Sequence, residues 1–223
     1  GTLGIKTTKK KIFTKNTTLE PVSLNKHLSY LKKNKTDNVI LEASSHGLHQ
    51  YRLNGNYFKK AIFTNLSHDH LDYHKSYNNY LESKLYLFKK LLVKYGTIIT
   101  KDDFKYLKDL KKISLKKKFK IITVGEGDKS DLKLLSHSFE NDVQKFSIQY
   151  KKKIYHAKTS LIGKTQLINL MMSILAAETK KLPISKIIDC ISNIKPPKGR
   201  LEKIIKLKNK SIVFLDYAHT PEA

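Results

Sequence analysis

The chain has 223 residues, room for one large domain or a domain and a half, and a formal charge of +25 from 44 basic and 19 acidic residues. No apolar run reaches membrane-spanning length and no secretory signal pattern is present; the single Cys190 excludes an internal disulfide framework and fits a reducing cytosol. Nucleic-acid readers lean on Arg forks and aromatic platforms. Only Arg52 and Arg200 are arginines here, so the lysine runs at 9–11, 116–118 and 151–153 read as a solvated surface and no nucleic-acid partner is expected.

In chain order, Leu24, Leu28 and Leu31 predict an amphipathic helix over 23–34. Short apolar runs predict strands near 38–43 and 60–66, followed by a helix over about 76–93. Residues 96–100 read as a strand, 102–112 as a helix and 120–124 as a further strand. This alternation argues for an α/β fold with a doubly wound, mostly parallel sheet. Segments 146–150 and 153–157 read as an antiparallel hairpin around a lysine turn, with helices over 165–180 and 184–193 after it. Pro196-Pro197 marks a linker, and 201–207 and 211–216 resemble strands of a new unit. The expected division is 1–197 and 198–223. With no initiator Met and an end just after a strand, the chain is expected to be a piece of a longer protein.

Chemistry concentrates between Val39 and Phe88. Both predicted strands there end abruptly in polar residues, Glu42-Ala43-Ser44-Ser45-His46 and Thr64-Asn65-Leu66-Ser67-His68-Asp69-His70. Ligands in open α/β sheets bind just beyond such carboxyl ends. In the helix that follows, Tyr77, Leu81, Leu85 and Phe88 form one stripe, and Lys84 sits on or beside it. A buried ammonium is costly unless paired or chemically altered. The alternative is a stem lying along the core with its amine in water. Arg52 stands out because this chain uses Lys wherever charge alone is needed; Arg supplies a planar fork suited to a carboxylate.

Two motifs mislead. Gly163-Lys164-Thr165 imitates the end of a phosphate loop, but position 158 is Lys where that loop needs Gly, so a helix start is expected. His68-Asp69-His70-Leu71-Asp72 imitates a dinuclear zinc-hydrolase motif, yet Tyr73 stands where a further His belongs and His74 follows.

Taken together, the motifs resemble the Mur ligases, and among them the MurE type. The blocks that carry this are Asn16-Thr17-Thr18-Leu19-Glu20-Pro21, Glu42-Ala43-Ser44-Ser45-His46-Gly47-Leu48 and the stretch from Phe63 to His74. Lys84, Asn169, Gly199-Arg200-Leu201-Glu202 and Asp216-Tyr217-Ala218-His219-Thr220-Pro221 extend it. The resemblance implies a central ATPase domain followed by the start of a C-terminal α/β domain. It implies a cytoplasmic, monomeric, ATP- and Mg2+-dependent ligase of peptidoglycan precursor synthesis. Such an enzyme joins a diamino acid, by default meso-diaminopimelate, to UDP-MurNAc-L-Ala-D-Glu through an acyl phosphate. Asn16, Thr17, Thr18, Ser44, Gln50 and Arg52 would then hold the muramoyl peptide. Glu42, His70 and a CO2-derived carbamate on Lys84 would be the catalytic metal ligands. Asn169, Arg200, Asp216 and His219 would serve the nucleotide.

Three departures stand out. The family's glycine-rich phosphate loop is expected upstream of Gly1. Gln166 and Lys198 replace an Asn and a Pro of the pattern. Two other readings differ in class: a zinc hydrolase on His68, His70, Asp72 and His74, or a non-catalytic basic nucleic-acid module.

Overall fold

A computed structural model describes residues 1–7, 11–140, 142–209 and 211–218. A minimal antiparallel pair, β1 (Ile5–Lys6) and β2 (Lys11–Ile12), precedes helix α1 (Pro21–Lys33). Pro21 opens α1, and lysines in its last turn suit the negative end of the helix dipole. A short helix α2 (Ser45–His49) leads to β3 (Phe58–Phe63). Then come α3 (Leu71–His74), α4 (Tyr77–Tyr86), a π turn over Leu87–Leu91 and β4 (Leu92–Lys101). α5 (Leu107–Lys117), β5 (Lys120–Gly125), β6 (Leu132–Glu140), β7 (Val143–Tyr150) and β8 (Lys153–Thr159) complete the sheet. α6 (Lys164–Ala177), α7 (Ile184–Cys190), β9 (Glu202–Lys206) and β10 (Ile212–Leu215) follow.

The main sheet runs β3-β4-β5-β6-β7-β8. β3 through β6 pair in parallel, and β6, β7 and β8 form an antiparallel meander. The α/β expectation holds, and the predicted hairpin is the β7–β8 half of that meander. Helices cover both faces because neighbouring residues of β4 point opposite ways. Ile98 packs with Leu81, Leu85, Phe88 and Leu110 on the α4–α5 side. Ile99 packs with Leu167, Met171 and Ile174 of α6 on the other. Each such fully buried side chain contributes about 1.5–3 kcal/mol. A third cluster of Leu24, Leu48, Leu53 and Leu91 fixes α1 and α2 against the π turn. That turn shifts the helical phase, so Phe88 enters one cluster and Leu91 another.

Three expectations need correction. Residues 38–43 are not a buried strand: Ile40 is 95% exposed, and Thr18 takes the Glu42 carbonyl and the Ser44 amide that a ladder would use. The helix placed at 102–112 begins at Leu107, because Asp102 is occupied in holding the loop after β5 through Gly127 N (2.9 Å) and Ser130 Oγ (2.6 Å). The helix placed over 76–93 ends in the π turn, and β4 already starts at Leu92. Gly163-Lys164-Thr165 is the start of α6, as expected. β9 and β10 pair antiparallel in a sheet of their own.

Candidate active site

Two segments of the chain, 16–20 and 42–44, are tied by one hydroxyl. Thr18, buried at 3% exposure, donates to the Glu42 carbonyl (2.8 Å) and accepts from Ser44 N (2.9 Å) and Ser44 Oγ (3.1 Å). Ser44 in turn caps α2, accepting from Gly47 N at 3.1 Å. Gly47 is needed here for space: a Cβ would lie 2.6 Å from Thr18 Cβ. Thr17 Oγ1 meets Thr2 Oγ1 at 3.1 Å, and the Thr2 amide and hydroxyl both donate to Glu42 Oε2. Asn16 is exposed beside them.

The Arg52 guanidinium closes this cluster. Its Nη1 donates to the Thr18 carbonyl (2.9 Å), its Nε and Nη2 both donate to Gln50 Oε1, and Nη2 pairs with Glu20 at 3.0 Å. Gln50 Nε2 donates to the Tyr73 hydroxyl at 3.0 Å, and His49 Nδ1 lies 3.0 Å from the same oxygen. All six residues assigned to the muramoyl peptide thus lie in one locality. Thr18 serves there as an internal anchor, its hydroxyl fully engaged.

α3 is four residues long and bracketed by left-handed residues, His70 (φ 56°) and Lys75 (φ 64°). His70 N donates to Asp69 Oδ1 at 2.7 Å, which supports a conformation uncommon outside glycine. Around it gather His46, His49, Tyr73, His74 and Tyr80. The His46 ring lies 4.1 Å from Tyr73 and 5.0 Å from His70; His74 stacks on Tyr80 at 5.1 Å. Burial, and then the other imidazoles and Lys84, depress the His74 pKa to about 4. Burial, then the His70 charge, lowers that of His46. Burial raises Tyr80 to about 12.

Lys84 is half-buried. Its Nζ sits 4.9 Å from the Tyr80 ring and 5.7 Å from Phe63, and makes a long 3.4 Å contact to the Asn65 carbonyl. Burial pulls its pKa down to about 8 against the opposing charge of Asp69. At pH 7 about one amine in ten is then neutral and nucleophilic. His70 borders the same Tyr80 ring at 5.8 Å.

The zinc-hydrolase alternative fails on this geometry. His68 and Asp72 are exposed, whereas His74 is buried against Tyr80. Among the described residues no three His, Cys, Asp or Glu side chains could hold a metal.

Three of the residues assigned to the nucleotide, Asn169, Arg200 and Asp216, lie on α6 and on either side of the β9–β10 pair. Asn169 lies on α6, whose leading Gly163 borders Leu201. Arg200 is exposed. Asp216 accepts from Leu201 N (2.8 Å) and Ala218 N (2.7 Å), and Tyr217 N donates to Gly199 O at 3.0 Å. Gly199 has φ +67°, and a Cβ there would fall 2.1 Å from the Tyr217 ring, so only glycine fits. His219 lies outside the described residues. Tyr73, His46 and Tyr80 carry no assignment from sequence; Tyr73 stands inside a quoted motif, but nothing local announces its partners 23 and 24 residues away.

Residues 1–177 match the family model of the Mur ligase middle domain. A UDP-N-acetylmuramoyl-L-alanyl-D-glutamate--2,6-diaminopimelate ligase of Rickettsia bellii is 36% identical over 207 residues, covering 93% of this chain and 42% of that protein. A UDP-N-acetylmuramyl-tripeptide synthetase 2 of Oceanobacillus iheyensis is 32% identical over 229 residues, covering 100% and 46%. A solved diaminopimelate ligase of the first kind superposes with TM-score 0.84 at 27% identity, over 100% of this chain and 45% of that one. A Lactobacillus casei folylpolyglutamate synthetase shares the fold at TM-score 0.66 and 14% identity. The chain spans under half the length of these curated relatives.

Proposed function

The chain belongs to the Mur ligase family, and from that premise we propose that the protein carrying it is an ATP-dependent carbon–nitrogen ligase of peptidoglycan precursor synthesis. Its substrates are UDP-MurNAc-L-Ala-D-Glu, ATP and a diamino acid, with 2,6-diaminopimelate favoured by the names of its relatives. It acts in the cytoplasm as a monomer; among the described residues no helix is long and apolar enough to cross a membrane. Residues 1–197 form the central unit, and 198–223 begin the next.

The observation that carries the reading is Lys84: a half-buried amine with a depressed pKa at the end of β3, sharing an aromatic neighbour with His70. A neutral amine that adds CO2 and releases one proton to solvent becomes an anionic carbamate, and Glu42, His70 and that carbamate would hold Mg2+. The bound cation would supply charge neutralisation where a carboxylate and a triphosphate meet. Arg52, flanked by Gln50 and the Thr17–Thr18 segment, would receive the acidic part of the muramoyl peptide. The D-glutamyl carboxylate attacks the γ-phosphate, ADP leaves, and the incoming amine displaces phosphate from the acyl phosphate. Positioning two anions is the main task of these residues. Asn169, Arg200, Asp216 and His219 would border the nucleotide.

Phosphate release by the complete gene product, dependent on both UDP-MurNAc-dipeptide and diaminopimelate, is the test. Release that ignores the dipeptide would overturn the reading, and a preference for lysine would correct the diamino acid.

A further inference from the structure

The Tyr73 hydroxyl sits between the two halves of the site. Its residue belongs to α3, the short helix that His70 opens. The oxygen receives Gln50 Nε2 at 3.0 Å and lies 3.0 Å from His49 Nδ1, while the ring lies against His46 at 4.1 Å. Gln50 turns its amide oxygen the other way, onto Nε and Nη2 of Arg52. Gln50 thus fixes the Nε/Nη2 edge of the guanidinium, while the Nη1 side faces the Thr18 carbonyl.

The amide presents its oxygen to Arg52 and its nitrogen to an acceptor on the far side, and the two contacts together fix its plane. Tyr73 is that acceptor. Remove the hydroxyl, and Gln50 Nε2 loses its partner. The amide is then held from the Arg52 side alone, and its plane is free to tilt together with that of the guanidinium. The guanidinium would keep its bond to the Thr18 carbonyl and its exposed pairing with Glu20, but lose the group that squares its other edge.

We propose that Tyr73 is a positioning residue for substrate binding: through Gln50 it sets the angle of the Arg52 fork, and so links the helix that carries His70 to recognition of an acidic acceptor. This rests on the ligase reading above. The acceptor class it names is a carboxylate-bearing peptide, and the nucleotide is untouched by the relay.

The experiment uses the complete gene product and a double-mutant cycle. Tyr73→Phe keeps the ring on His46 and removes only the oxygen. Losing a neutral hydrogen bond predicts a rise in KM for the muramoyl dipeptide of roughly three- to tenfold, with kcat, KM for ATP and thermal midpoint unchanged. In a Gln50→Ala background, Tyr73→Phe should raise KM no further, because the relay is already cut. An unchanged dipeptide KM in Tyr73→Phe overturns the proposal, as do equal losses for dipeptide and ATP or fully multiplicative effects in the double variant. Absence of ligation by the unsubstituted protein would instead overturn the ligase reading, so the two failures are distinct.

Discussion

Two lysines of this fold are half-buried with pKa values lowered by burial, yet their surroundings differ. Lys60, on β3, reaches the end of α6 and donates to three carbonyls, Leu175 (3.0 Å), Ala176 (2.9 Å) and Glu178 (2.6 Å). It completes a helix terminus whose last carbonyls have no intrahelical partner. Lys84, past the other end of that strand, has aromatic faces and one long carbonyl contact. Depressed basicity alone therefore does not mark a reactive amine. What separates the two is whether the ammonium's donors are already committed.

The sharpest way to break that contrast is Lys84→Ala in the complete gene product. Ligation should fall roughly a thousandfold or more, the scale of losing a charge-organising group in phosphoryl transfer. Acetate should restore part of it. A carbamate trapped under bicarbonate should map to Lys84 and not to Lys60. Wild-type turnover of the alanine variant, or trapping at Lys60, would erase the distinction.

Arg52→Lys comes next. Loss of a charged, two-pronged contact predicts a dipeptide KM roughly ten- to a hundredfold higher with ATP affinity unchanged.

His74 tests how dry the Lys84 side is. Its folded pKa of about 4 lies below the 6.5 of an unfolded chain. Between those values the unfolded state binds the extra proton, so stability falls as pH drops from 6.5 to 4. Urea titrations should show a loss on the order of 2–3 kcal/mol that His74→Phe removes. A pH dependence unchanged by that substitution would place the penalty elsewhere.

The smallest effect belongs to Lys60→Met. Leaving the α6 carbonyls to water should lower stability by about 1–2 kcal/mol in urea unfolding, with ligation retained.

Much of this was legible in the residues. Lys84 announced itself as a charge on an apolar stripe, and Arg52 as a rare fork in a lysine-rich chain. Strand–helix alternation gave β3, β4 and β5 of the parallel half of the sheet, because period and turn chemistry are local. What stayed hidden depends on partners distant in sequence. Nothing in Val39-Ile40-Leu41 reveals that Thr18, more than twenty residues earlier, has taken the neighbouring backbone groups. Asp102 looked like a helix start and is a loop anchor for Gly127 and Ser130. Lys60 is one lysine among many until α6 is folded over it. The strand β6 escaped notice because most of it, from Leu135 to Glu140, is exposed and lacks a core-facing alternation.

The contact of Gly47 with Thr18 makes those two positions a single unit of volume. A variant library that randomises either position alone will return the parent residue, since a larger 47 strikes the threonine and a smaller 18 unties the loop. Only paired changes can explore new shapes there, so redesign of this corner of the fold has to begin by diversifying both together.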